Sequence, residues 1–442
     1  MRTQAKSHGV IHRKLDPAMP TGMQYYRVKA GALQFTMFIT VVIALLLAGF
    51  VILVHTHKLF RANTHFVKET IGATDKGIHY MLSHDIKPSD TILLNDEDDR
   101  TLKVYADQWG IFTKLYSSSR IQHKTFKKIA LVGASQPQTN RTALYLEDQN
   151  RPLVVVGNTR IQGDAYLPKQ GVRTGNISGH SYYGSRLIYG KTKTSKALPI
   201  PTREVFGALD NIKSKIDRAD QNQFLDLNKG KTFQNSFYNA VNIVYSPTNV
   251  ELRGVNLSGH IIVQSDTKIT VDATTNLSDI MLIAPEIEIK DHTKGSFQAL
   301  ATKSITVGSH CKLYYPTALV LKEDKKNVKD SSTPEESANI RIGKGTQLKG
   351  VVAFKGETKN YKPQVFIEET VEVMGEVHCD RNVELLGRVY GSIYASGFVA
   401  SQSGSVYQNH IYNGTIEVDR LPEEYVGLLF EGSKKHIAKW LY

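Results

Sequence analysis

Cysteine is almost absent from this chain of 442 residues, which contains only Cys311 and Cys379. They allow at most one bridge, so a disulfide-stapled scaffold is excluded. Catalytic signatures are missing too: the sequence has no nucleophile elbow, P-loop, dinucleotide fingerprint or zinc-protease helix. The most informative absence is local. From Ala32 to Val54, 23 residues pass without one charged side chain.

At a rise of ~1.5 Å per residue, that run spans the ~30 Å hydrocarbon core of a bilayer as one helix. It exceeds the ~7–15-residue core of a cleavable signal peptide, and no small-x-small cleavage site follows it. The expectation is a single-pass transmembrane helix over 32–54. Before it, residues 1–31 form a basic segment with six Lys or Arg (Arg2, Lys6, Arg13, Lys14, Arg27, Lys29) against Asp16. The 17 residues after it hold Lys58, Arg61 and Lys68 against Glu69. The positive-inside rule then puts the N-terminus in the cytoplasm and the bulk outside an inner (cytoplasmic) membrane, periplasmic or extracellular.

Net charge is +13 with a pI near 9.3, and the basic residues are scattered along the chain. With the bulk outside a membrane, nucleic acid is not expected as a partner. Anionic glycans such as teichoic acid, lipopolysaccharide or peptidoglycan suit the charge better. Five N-x-Ser/Thr triplets begin at Asn140, Asn176, Asn256, Asn276 and Asn413; they matter only in a eukaryotic secretory route.

Past the membrane, Phe60, Val67, Ile71, Ile78 and Leu82 recur at steps of 7, 4, 7 and 4. That is ~3.67 residues per turn, an amphipathic helical stalk over 55–88 whose stripe packs on this protein's body or on a neighbour. This layout of basic residues, a glycine, a long apolar helix and an amphipathic continuation resembles the N-terminus of type IV pilin-like proteins, the minor, PilX-like ones above all. Lys29-Ala30-Gly31 before Ala32-Leu33 is similar to a prepilin processing site, with Thr36 where that family carries its glutamate.

From 89 to 156 short β-branched and aromatic runs predict a β-rich neck: Ile92 to Leu94, Leu102 to Tyr105, Gly110 to Tyr116, Phe126 to Val132, Ala143 to Leu146 and Leu153 to Val156. Asn95-Asp96-Glu97-Asp98-Asp99 reads as a solvated turn; it lacks the glycine and distal glutamate of an EF-hand.

After Val156, glycines at 157, 163, 171, 175, 179, 184 and 190 punctuate short apolar pieces, as the corners of a parallel β-solenoid (β-helix) do. This first solenoid part runs over 157–198. A helical insertion follows over 199–230, with Val205, Leu209, Ile212 and Ile216 on one face. The solenoid resumes over 231–418. There Ile269/Val271, Ile287/Ile289 and Ile305/Val307 stand 18 residues apart, while Ile262, Ile280 and Phe297 interleave at 18 and 17. The polar stretch 322–338 reads as a flexible loop leaving one coil. Residues 419–442 read as a cap or a docking segment, with Tyr425, Leu428 and Trp440 as docking candidates.

The pieces Val371 to Val377, Val383 to Ala395 and Gly404-Ser405-Val406 resemble the G-x-V-x-G-x-I repeats of bactofilins. That likeness implies a polymer-forming β-helix, in some members a membrane-anchored one. For His310-Cys311 and His378-Cys379, strand alternation predicts cysteine in the core and histidine in solvent rather than a metal pair. No cofactor, metal or catalytic residue is expected.

The resulting fold class is mainly β: a transmembrane helix and stalk, a β-rich neck, then a solenoid with a helical insertion. The function expected is a non-enzymatic envelope scaffold, or the assembly subunit of a pilus-like, secretion or motility machine, with other envelope proteins or its own copies as partners. The alternative is a membrane-tethered glycan-binding or glycan-cleaving β-helix. Its candidate residues are Glu286 and Glu288 on one strand face and Tyr182, Tyr183, Tyr189, Tyr314 and Tyr315 for stacking.

Overall fold

One helix, α1 (Ala30–Ser83), contributes to both compact units of the chain, Met1–His65 and Phe66–Tyr442. The structure, a computed structural model, describes residues 30–84, 91–96, 100–136, 139–210, 219–324, 338–357 and 360–442. The basic segment before Ala30, with its processing-like site at Lys29, lies outside them. So do most of the polar loop and the helix residues Ile212 and Ile216. In the first unit the apolar turns of α1 stand uncovered on every side; Leu46 is 68% exposed and Val51 69%.

The second unit is mainly β. Strands β1 (Thr91–Asp96), β2 (Arg100–Trp109), β3 (Phe112–Ile121) and β4 (Lys124–Ser135) form an antiparallel meander. In this sheet Asp96 pairs with Arg100, and Glu97, Asp98 and Asp99 of the acidic cluster lie outside the described residues. The other two strands expected of the neck, Thr142–Leu146 and Leu153–Val156, instead pair in parallel with solenoid strands. The neck therefore ends near residue 136, not 156. Apolar content alone cannot show which neighbour a strand will pair with.

The solenoid has three faces. On the first, Asn256, Asn276, Lys294 and Lys312 stand in register; on the third, Ile269, Ile287 and Ile305 do. The 18-residue period on the third face is thus a true coil repeat, and these three isoleucines are buried. On the second face the register differs by one residue: Ile262 pairs with Met281, while Ile280 pairs with Phe297. Ile280 and Phe297 point into the solenoid core, whereas Ile262 and Met281 belong to a second cluster outside it.

Chain order is not spatial order. Residues 142–194 do not precede the later coils in the stack. They lie beyond its last turn, where Leu144 pairs with Ile393 and Arg160 with Thr415. The expected insertion makes this possible. Residues 196–210 run along the outside of the second face, with the carbonyl of Pro199 at His378 Nε2 (2.8 Å) and Lys355 over the Phe206 ring. By Leu225 the chain is at the opposite end, where the Leu225 N–H donates to the Ile243 carbonyl (2.8 Å). Among the described residues, helix in and just after this crossover comprises α2 (Arg203–Asp210) and the single 3-10 turns Gln221–Gln223 and Leu227–Lys229.

The repeat texture over 350–391 has a steric cause. Gly350, Gly375 and Gly391 stack at one corner with φ of 146°, 152° and 155°. A Cβ on any of them would lie 1.8 Å from the carbonyl oxygen of the coil below. Only glycine fits a corner this tight.

Candidate functional site

The surfaces able to meet partners are the helix α1, the two sides of the meander and the C-terminal tail. The buried side of α1 within the second unit overlaps the stripe that apolar spacing indicates only in part. Ile78 and Met81 pack on Val104, Ala106, Leu115, Ala130 and Val132 of the meander. Thr70 and Thr74 are buried on the same side. Each satisfies its hydroxyl on the helix itself, Thr70 on the Phe66 carbonyl (2.6 Å) and Thr74 on the Thr70 carbonyl (2.8 Å). A side chain at Gly77 would put its Cβ 2.3 Å from Ser117 Oγ, so glycine permits the close approach of helix and sheet. Ser117 in turn donates to the Thr74 carbonyl (2.9 Å).

Of the five stripe residues, Ile78 is buried and Leu82 packs against the same cluster. Ile71 is half-buried, Val67 is 40% exposed and Phe60, in the first unit, is 70% exposed. The sequence hid the true face because threonine and glycine carry part of it.

The other side of the meander is also buried. Trp109, Ile111, Phe112, Ile129 and Leu131 pack on outward residues of the second solenoid face, among them Met281, Ile283, Leu300, Ala318, Val320 and Val351. Gln298 on that face clamps the β2–β3 turn. Its side-chain oxygen accepts from Ile111 N–H (2.9 Å) and its amide donates to the Trp109 carbonyl (2.9 Å). The meander is thus held between helix and solenoid.

The tail is part of this layer rather than a solenoid cap. The tail strand Lys435–Leu441 pairs antiparallel with β4, placing Ile437 opposite Val132 and Leu441 opposite Ile129. Lys439 binds both carboxylate oxygens of Asp279 (2.6 and 2.7 Å). Tyr425 is buried and donates to the Gly350 carbonyl (2.9 Å). Leu428 is buried too, so both docking candidates are already engaged within this chain. Trp440 is 38% exposed, with Lys128 5.2 Å from its ring.

Beneath the tail lies Glu376, fully buried, accepting from Leu428 N–H (2.7 Å) and from the Gln136 amide. Desolvation pushes its carboxyl up to about 7, with the Leu428 bond pulling the other way. A Cβ on Gly427 would come within 2.0 Å of that carboxylate, so only glycine lets the tail pass here.

Two residues along, His378 is buried rather than solvated, because the crossover segment covers this face; burial pulls its pKa down to about 4. Cys311 and Cys379 lie in the core, with their thiols pushed up by burial, and His310 is exposed. Among the described residues, no group of three or more His, Cys, Asp or Glu is placed to hold a metal ion.

Glu286 and Glu288, the carboxylate pair, are each tied to lysine. Glu286 pairs with Lys303 (2.8 Å). Glu288 pairs with Lys268 (2.6 Å) and Lys290, and the Lys268 bond above all holds its carboxyl below the usual range. Tyr315 is held by its hydroxyl on the Val426 carbonyl (3.0 Å), Tyr182 is half-buried and Tyr189 carries Arg160 over its ring at 4.5 Å. Tyr183 and Tyr314 are exposed.

No protein-family model matches the chain, and no curated protein matches it. Among solved structures it is similar to the crystal structure of the competence-associated pilin ComZ from Thermus thermophilus. The identity is 10% and the TM-score 0.23, over 85% of this chain and 97% of that one. A likeness at this level carries no argument about fold or function.

Proposed function

We propose that this chain is a non-enzymatic cell-envelope protein held in the inner membrane by one span, residues 32–54, with its N-terminus cytoplasmic and its bulk outside. It acts there as a structural scaffold or assembly subunit of a surface machine of the pilus-like, secretion or motility kind.

The observation that carries this reading is the contrast along α1. Its charge-free turns leave large apolar side chains uncovered on all sides, whereas Thr70, Thr74, Ile78 and Met81 are buried in the body. A lipid bilayer supplies the environment those uncovered turns require. Between the two lies a short stretch with Leu59 and Phe60 exposed, beyond the apolar span and before the packed turns. That stretch is where a neighbouring helix or copy fits. The resemblance of the N-terminal layout to pilin-like proteins agrees with this assignment.

The test is site-specific photo-crosslinking in native membranes, with a photoreactive residue replacing Phe60 or Val67. Discrete protein adducts at both positions are expected. Adducts to lipid alone, or none, would remove the assembly role and leave only the anchor.

A further inference from the structure

Charge is distributed very unevenly along the solenoid. In the middle coils, cations and acids pair across neighbouring turns: Lys268 with Glu288, Lys303 with Glu286, Arg341 with Glu368, Lys344 with Glu369 and Arg388 with Glu372. The last turn in space is different. From Ala165 to Arg203, 39 residues contain seven Lys or Arg and no Asp or Glu. Up to Ser195 this stretch makes the last turns at this end of the stack, and residues 196–203 begin the crossover along the second face. Its strands Val172–Thr174 and Thr192–Thr194 pair on one side only, with Leu153–Val156 and Asp164–Leu167. Lys193 is matched by Asp164 of the coil below (3.2 Å), and Lys196 lies beside Asp148, whose N–H donates to its carbonyl (3.2 Å). Lys169, Arg173, Arg186 and Lys191 are exposed, and none has an ion pair among the described residues.

We infer that this end coil is a binding surface for an anionic glycan, a chain of sugars bearing carboxylate or phosphate groups. Edge protection is the simpler explanation for lysines on an open coil. It needs only one or two charges on the edge strands, of either sign, which Arg173 and Lys193 already provide. It does not require the removal of every acid from 39 residues.

The groups between the cations select the class of ligand. Thr174, Ser178 and Thr192 are exposed and carry hydroxyls that suit sugar hydroxyls, while Asn176 donates to Ser181 Oγ (2.9 Å) and Ser185 bonds the Tyr189 hydroxyl (3.1 Å). Tyr183 adds one open aromatic ring, 62% exposed. A lipid surface calls for a group of exposed apolar anchors, yet Val172, Leu187 and Ile188 pack back against the core, and the exposed Ile200 stands alone on the crossover. Single-stranded nucleic acid calls for a series of open rings. Here Tyr182 is half-buried with its hydroxyl on the Arg186 carbonyl, and Tyr189 is covered by Arg160.

The test titrates the full-length protein in detergent with polygalacturonate at about physiological ionic strength, where exposed charges are screened beyond ~8 Å. The triple variant R173A/R186A/K191A is compared with the control K294A/K312A/K349A, which removes the same charge from exposed middle-coil positions. Both are checked for an unchanged melting temperature. At least a tenfold loss of affinity is expected in the first and less than twofold in the second. Equal losses in both, or no binding by the unmodified protein, overturn the site. Tighter binding of duplex DNA or of phosphatidylglycerol vesicles through the same three residues overturns the glycan as its ligand.

Discussion

The second and third faces of the solenoid are built from the same coils yet read differently. The third face alternates: Ile287, Ile289, Ile305 and Val307 point inward, while Glu288 and Thr306 lie between them on the solvent side. The second face runs apolar without a break, through Ile280 to Ala284, Ala299 to Ala301, Ala318 to Leu321 and Val351 to Phe354, all buried. Alternation marks a strand with one wet side, and an unbroken run marks burial on both sides. The second face has the meander, α2 and the tail on its outside, so the run signals a docked layer. A solenoid is therefore not one repeated coil chemistry; what covers each face is written into that face.

This contrast can be broken most directly with charge. Leu300→Asp places an unpaired carboxylate between the second face and the meander, and is expected to cost about 4–5 kcal/mol. Thr306→Asp, outward on the third face, is expected to change stability by less than about 0.5 kcal/mol. Denaturant unfolding of the full chain in detergent measures both. Comparable losses would mean that the two faces are not differently covered. In the shared interior, Ile305→Ala is expected to cost about 2–5 kcal/mol, since that residue is fully buried.

At the corner between the first two faces, Gly391→Ala meets the Gly375 carbonyl and an unfavourable φ, for about 1–3 kcal/mol by the same measurement.

The tail sharpens the comparison through pH. Glu376 holds its proton more tightly folded than unfolded, so its contribution is fully present below its ordinary value of 4.5 and is lost as pH rises through about 7. Asp380, raised to about 6 by burial, acts in the same direction. Glu376→Gln is expected to flatten part of the fall in melting temperature between pH 5 and 7.5. An unchanged slope would place the titration elsewhere. The smallest effect belongs to the exposed pairs: Lys303→Ala, which frees Glu286, should shift stability by no more than about 0.5 kcal/mol.

Much of this was legible in the sequence, and the failures have physical causes. The 18-residue ladder of Ile269, Ile287 and Ile305 is visible because one-sided burial forces strict spacing. The one-residue error at Ile262 arose where both sides are apolar, so spacing alone could not say which residue faced inward. Thr70, Thr74 and Gly77 were missed on α1 because their role is close approach with hydroxyls satisfied locally, which hydropathy does not register. The crossover to the far end of the solenoid left one trace, a polar and weakly helical interruption, which indicates a break in the stack but not its destination. The solvated reading of His378 failed for the same reason as the wrong neck boundary: strand alternation does not show what lies over a face.

The central question for this protein is whether it works as part of an assembly. Affinity purification of the full-length chain from its native membrane in mild detergent, followed by sizing and mass spectrometry, addresses that directly. An assembly subunit is expected to be recovered in a complex of fixed stoichiometry with other envelope proteins or further copies of itself. Recovery as a lone monomer, with the same detergent preserving other membrane complexes, would contradict that role.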